Sequence, residues 1–272
     1  MKLLEYLKAI LFGIVEGISE WLPISSTGHM IILSDIMPLD VSAEFSEVFF
    51  VVIQLGAILA VPIIFSKRII PTGKNKREVL SLYSKLFVGC IPAALLGILL
   101  DDLIDRYFFN YVTVSVALLV YGVVFIVLEK SGRSTPRISS LDALSHRDFL
   151  LIGLFQSLSL IPGTSRSGVT IIGGLCLGAD RRVASELSFL LAIPVMIGAS
   201  GLKIFKFVFS ASVPTAHEIL ILSIGFTVAF LVSVITVKFL IDFVGRHSFA
   251  VFGVYRIALS LVILVLFGLL RM

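Results

Sequence analysis

Charge is scarce in this chain of 272 residues, with Asp, Glu, Lys and Arg together making up only 15%. Soluble domains carry about 25%. Cysteine is scarcer still: Cys90 and Cys176 are the two in the chain, and both sit in apolar stretches. They read as small buried hydrophobes rather than a disulfide framework. What the chain has instead is apolar side chain, 58% of residues, with a mean hydropathy of +1.08. A soluble protein of this length could not hide that much apolar surface, which excludes a cytosolic enzyme. Disorder needs low hydrophobicity and high charge, so it is excluded too. The composition is that of an all-α polytopic membrane protein solvated by the lipid bilayer. A net charge of +4 then reads as a topology signal, with no nucleic-acid partner expected.

Six segments are long and apolar enough to span a bilayer: about 45–66, 84–100, 111–128, 186–209, 219–241 and 249–270. Two more regions are apolar but interrupted. Residues 3–34 contain Glu16, Glu20, Pro23 and a Ser-Ser-Thr-Gly-His run, and residues 149–178 contain Gln156 and Pro162 through Ser167. Broken polar backbone at membrane depth is tolerated only inside protein or beside a water-filled cavity. Both regions are therefore expected to be re-entrant helix–loop–helix pairs. No cleavable leader is expected, because the first apolar stretch lacks a clear basic flank and carries Glu16 and Glu20.

Most basic residues fall in four segments: 66–85 (Lys67, Arg68, Lys74, Lys76, Arg77, Lys85), 129–148 (Lys130, Arg133, Arg137, Arg147), 179–185 (Arg181, Arg182) and 238–248 (Lys238, Arg246). Acidic loops hold Asp35, Asp40, Glu44 and Glu47, and Asp101, Asp102 and Asp105. Placing the basic segments in the cytoplasm obeys the positive-inside rule, with Lys203 and Lys206 as mild exceptions. The six spans then alternate without conflict, and both termini fall outside. One membrane domain, 1–272, is expected: a first repeat over 1–128, a cytoplasmic linker over 129–148 and an inverted second repeat over 149–270. Each repeat holds one re-entrant pair and three spans. Gly13 to Ser19 resembles Gly153 to Ser159, and a proline and a hydroxyl-rich run follow in each. Inverted repeats with broken helices place a polar site near the bilayer midplane.

The candidate chemistry sits in those two runs. Glu16 and Glu20 are four apart and share a helix face. Carboxylates in an apolar helix are costly unless they face a cavity or a cation. They suit a hard divalent metal, a general base, or a structural pair. Ser25, Ser26 and Thr27 follow Pro23, where one hydroxyl would be enough to cap a helix. A helix N-terminus favours an anion, and a hydroxyl beside a base can be a nucleophile. His29 can act as acid, base or nucleophile, or be structural. In the second run, Gly163, Thr164, Ser165 and Ser167 form an oxygen-binding cradle around Arg166, a planar fork suited to phosphate. Thr170, Gln54 and Gln156 are supporting donors. Glu186 could join the site or pair locally, and Arg256 is expected to neutralise a carboxylate.

At these residues the sequence resembles the undecaprenyl-diphosphatase, or bacitracin-resistance protein, family. Glu16-Gly17-Ile18-Ser19-Glu20 matches its E-x-x-x-E pattern, continued by Leu22 to His29. Pro162 to Thr170 matches its P-G-x-S-R-S-x-x-T pattern. Val52 to Ala57, Ser188 to Pro194 and Tyr255-Arg256 are lesser matches. The resemblance implies a bacterial inner-membrane hydrolase. It implies cleavage of the polyprenyl lipid undecaprenyl diphosphate to undecaprenyl phosphate and inorganic phosphate, which recycles the carrier for peptidoglycan and gives bacitracin resistance. It also implies stimulation by a divalent cation, Mg2+ or Ca2+. On this basis Arg166, Ser165 and Ser167 are expected to hold the terminal phosphate. Glu16 and Glu20 would bind the ion or activate the nucleophile. Ser26 is the first choice of nucleophile, with His29 as base or acid; attack by His29 or by water are the alternatives. Self-association into a homodimer is allowed. A transporter or flippase for a phosphorylated lipid is the competing reading.

Overall fold

The computed structural model describes residues 2–73, 75–131, 136–209 and 214–270, without the side chains of 43, 101, 105, 206, 208, 209, 269 and 270. Lys74, Arg133 and part of the 129–148 linker therefore lie outside the described residues, as do the side chains of Asp101, Asp105 and Lys206. The chain is all helix, and the one β-bridge among the described residues joins Ile138 to Ala179.

The first interrupted region forms α1 (Lys2–Ser19) and α2 (Ser26–Ile36). The first apolar span is α3 (Ala43–Ile58), α4 (Ala60–Ile64) and α5 (Ser66–Ile69), broken where one continuous span was expected. Pro62 supplies a reason, because its ring crowds the carbonyl four residues back and it has no N–H to give. Next come α6 (Lys76–Phe108) and α7 (Tyr111–Lys130). The expected span at 84–100 is only the middle of α6, which continues as helix through polar residues at both ends. The second interrupted region forms α8 (His146–Ser157) and α9 (Arg166–Cys176), joined by a 3-10 turn at Leu158–Leu160. Then follow α10 (Arg181–Phe209), α11 (Ala216–Val244) and α12 (Ala250–Leu270). Among the described residues six stretches are long and apolar enough to cross a membrane, at Glu44–Ile64, Lys76–Leu100, Tyr111–Lys130, Arg181–Phe205, Ala216–Val244 and Ala250–Gly268. The protein is multi-pass.

The short helices lean on partners distant in sequence. α1 packs along α11, and α8 along α6, while α7 pairs with α12 and α3 with α10. Both short helices dock through glycine: a Cβ on Gly13 would stand 2.7 Å from the Gly225 carbonyl oxygen, and one on Gly153 would overlap that of Gly89. Close backbone approach through small residues is how helices associate where lipid removes the hydrophobic drive. A large apolar cluster including Trp21, Phe125, Phe149 and Phe189 surrounds the two broken pairs, so their polar turns are enclosed by protein rather than by lipid.

Candidate active site

Each broken pair turns at a serine with left-handed backbone, Ser25 at φ 72° and Ser165 at φ 73°. That conformation costs a residue with a Cβ about 1–2 kcal/mol, and it persists where the surroundings enforce it. Both serines are helix caps. Ser25 Oγ accepts the Gly28 N–H at 3.4 Å, and Ser165 Oγ accepts the Gly168 N–H at 3.1 Å. The capped ends of α2 and α9 face one cavity of about 140 Å³. Glu20, Ser25, Ser26, Thr27, Gln54, Gly163, Ser165, Arg166 and Ser167 all line it. The dipoles of both helices place positive potential there.

Glu20 is the hub. It is 6% exposed. Its Oε1 accepts from Arg166 Nη2 at 2.8 Å, and its Oε2 accepts from Ser26 Oγ at 2.8 Å. Arg166 also donates through Nη1 to the Ser188 carbonyl at 2.8 Å and lies over the Trp21 ring, 5.6 Å from its centroid. Ser167 Oγ donates to the Glu20 and Leu22 carbonyls at 3.2 and 3.3 Å, stitching α9 to the end of α1.

The remaining expected residues stand around this cavity rather than in its wall. Glu16 is buried one turn before Glu20 and has no hydrogen-bond partner among the described residues. Thr170 Oγ1 donates to Ser188 Oγ at 2.7 Å, so it steadies the residue that holds Arg166. Thr164 and Gln156 are fully buried, and their side-chain polar atoms have no partner. His29 faces Tyr255. Its Nδ1 lies 2.8 Å from the Ser25 carbonyl, which can only accept, so Nδ1 carries the proton. Nε2, 2.6 Å from the Tyr255 hydroxyl, then accepts.

Arg256 departs from its expectation. It is fully buried, yet its partners are carbonyls, not a carboxylate: Pro23 at 3.2 Å, Gly163 at 2.9 Å and Thr164 at 2.9 Å. One guanidinium therefore clamps both turns together. Three carbonyls in the turns that lead into α2 and α9 need donors, and lipid offers none. Glu186 takes the local alternative, pairing with Arg68 at 2.5 Å. Ser159 and Met196, which also line the cavity, and Ser188 and Tyr255 were not singled out as site residues. Ser159 closes the stretch that echoes Gly13 to Ser19, and Ser188 opens a lesser family match, but nothing in either stretch marks the serine as a site residue.

Fold and site together define an all-α multi-pass membrane protein with a buried, cation-bearing polar cavity between two broken-helix turns. The comparisons with known proteins place the chain in a family. The family model described as Bacitracin resistance protein BacA matches residues 9–262, and the chain belongs to that family. It is 49% identical to the undecaprenyl-diphosphatase of Desulfitobacterium hafniense over 275 residues, 98% of each chain. It is 48% identical to that of Enterococcus faecalis, covering 94% of this chain and 95% of the relative. It is also 48% identical to undecaprenyl-diphosphatase 1 of Clostridium acetobutylicum, covering 98% and 99%.

Proposed function

We propose that this chain hydrolyses undecaprenyl diphosphate to undecaprenyl phosphate and inorganic phosphate, the activity for which its relatives are named. The product is the lipid carrier of cell-wall synthesis, and consuming the diphosphate gives bacitracin resistance, the property in the family's own description. Phosphoryl transfer asks a protein mainly for positioning and charge stabilisation. The observation that supports a specific mechanism is the shared carboxylate: Ser26 Oγ and Arg166 Nη2 sit on the two oxygens of Glu20, each at 2.8 Å.

In this mechanism the terminal phosphate draws Arg166 toward itself, with Ser165, Ser167, Thr27 and the N–H groups of α2 and α9 around it. Glu20 accepts the Ser26 proton as Oγ attacks the terminal phosphorus. The bond to the bridging oxygen breaks, undecaprenyl phosphate leaves, and water then hydrolyses the phosphoserine. His29 holds the first turn of α2 through its bond to Ser25, and joins the chemistry only by giving up Tyr255. Glu16 and Glu20 offer the hard carboxylate oxygens that Mg2+ or Ca2+ takes, although among the described residues no third His, Cys, Asp or Glu joins them. Glu16, with no other partner, and Glu20 would hold the ion, which supplies countercharge for the phosphates. Chelation should then stop phosphate release, and either ion should restore it.

The halves 1–128 and 149–270 form inverted repeats in this reading. The matched serine caps and the exchange of partners, α1 with α11 and α8 with α6, support it. The inner membrane holds the protein with both termini outside and the basic linker inside, and the cavity opens outward. A Ser26→Cys variant that reacts in intact cells only with reagents from the cytoplasm would overturn that orientation.

The deciding experiment uses purified protein in detergent with substrate labelled in its terminal phosphate. Phosphate release separates an enzyme from a pure transporter, for which a detergent micelle offers no second compartment. Rapid quenching should trap label on Ser26; label on His29, or none on the protein, sinks the serine mechanism.

A further inference from the structure

A second cavity, of about 870 Å³, with a mixed lining of charged and apolar side chains, opens at the end of α9 opposite Arg166. It lies between the ends of α7 and α11 and the start of α10, and Glu129, Arg137, Asp180, Arg181 and Arg182 line it. Both acids are already engaged. Glu129 takes Arg181 through two contacts, Nε to Oε1 at 3.0 Å and Nη2 to Oε2 at 2.5 Å, and accepts the Phe249 N–H at 3.1 Å. Asp180 accepts the Val183 N–H at 2.7 Å at the head of α10. Neither Arg137 nor Arg182 has an ion pair with a carboxylate among the described residues. The cavity is thus left with two guanidiniums outside any ion pair, Arg182 sharing only the longer-range field of Glu186, which is itself paired with Arg68; such groups are suited to a phosphate.

An apolar recess of about 410 Å³ adjoins this cavity and shares Leu128 and Cys176 with it. Its wall is the outward face of α7, where Val123 is 46% and Val127 60% exposed. A basic chamber continuous with an apolar groove on a bilayer-facing helix matches one kind of molecule. A soluble anion would fill the chamber and leave the groove bare; a neutral lipid would fill the groove and leave the arginines unanswered.

We propose that this cleft binds an anionic phospholipid, its phosphate between Arg137 and Arg182 and one acyl chain along Val123 and Val127. Basic pockets between membrane helices hold anionic headgroups in this way. The site is separate from the phosphatase cavity and does not depend on that reading.

The test is native mass spectrometry of the full-length protein in detergent with added phosphatidylglycerol or phosphatidylcholine. Phosphatidylglycerol should bind well ahead of phosphatidylcholine. The double variant Arg137→Gln with Arg182→Gln should lose roughly thirtyfold in phosphatidylglycerol affinity, from the usual contribution of two basic residues. Val127→Trp, which fills the groove and leaves the arginines in place, should weaken binding as well. Retained phosphate release by both variants shows that they are folded. Equal binding of the two lipids, or undiminished phosphatidylglycerol on the double variant, overturns the proposal. Undiminished binding by Val127→Trp overturns the groove. One-for-one displacement by undecaprenyl phosphate would give the seat to the reaction product instead.

Discussion

Arg166 and Glu20 are 146 positions apart in sequence and 2.8 Å apart in the structure. Neither residue is tolerable alone in an apolar helix. A guanidinium or a carboxylate at bilayer depth costs roughly 2.5–3.5 kcal/mol even on the most lenient scale. Each makes the other possible, and Ser26 Oγ sits on the second oxygen of Glu20. In the proposed mechanism an incoming phosphate competes with Glu20 for Arg166 and leaves the carboxylate free to take a proton.

Arg166→Lys tests whether charge alone is enough. Lysine keeps the charge but cannot donate to Glu20 and to the Ser188 carbonyl from one rigid plane. The expected loss is roughly 10²- to 10³-fold in kcat, the usual effect of removing one preorganised donor. Steady-state phosphate release in detergent measures it, and a lysine enzyme within threefold of the parent (about 0.7 kcal/mol) would show that the fork is dispensable.

Arg256→Met probes the clamp. It leaves the Pro23, Gly163 and Thr164 carbonyls without their donor. Unsatisfied buried groups cost about 1–3 kcal/mol each, so a stability loss of about 3 kcal/mol or more is expected. Thermal unfolding of the purified protein reports it. An Arg256→Met variant that melts with the parent would mean that the two turns hold together without the guanidinium.

Ser165 offers a comparison of two replacements. Glycine removes the cap acceptor but relaxes the left-handed backbone, whereas alanine removes the acceptor and keeps the strain. Ser165→Gly should therefore be the more stable of the two by about 1 kcal/mol. Melting temperatures that rank alanine level with or above glycine would contradict a strained cap.

Much of this was legible in the sequence because membrane physics leaves few options. The six spans follow from apolar length, and the two broken pairs from Pro23, Pro162 and the hydroxyl runs beside them. That both runs would contribute to one polar site followed from their shared pattern, but the direct pairing of Glu20 with Arg166 did not: sequence alone assigned Arg166 to a phosphate and Glu20 to an ion or a proton. What resisted reading was contact between distant, unmarked positions. Arg256 called for a counter-charge by ordinary electrostatics, and three carbonyls answered instead. They belong to turns 233, 93 and 92 positions away, where no residue type signals an orphaned carbonyl. Ser188 looks like any small residue of an apolar helix until Arg166 and Thr170 are seen to bond to it. The break in the first span hung on the single Pro62, which helices in proteins sometimes absorb, as α6 and α10 do with Pro92 and Pro194.

The exchange of helix partners has a consequence for the order of events in the cell. α1 carries Glu16 and ends just before Glu20, and it comes long before the helix it docks against, α11, in chain order. Through most of synthesis the earliest part of the chain must wait with its carboxylates unhoused, held at the insertion machinery or at the membrane surface. Any product that stops short of α11 has no place to seat α1. The carboxylates at the start of the site are thus housed only once α11 has been made.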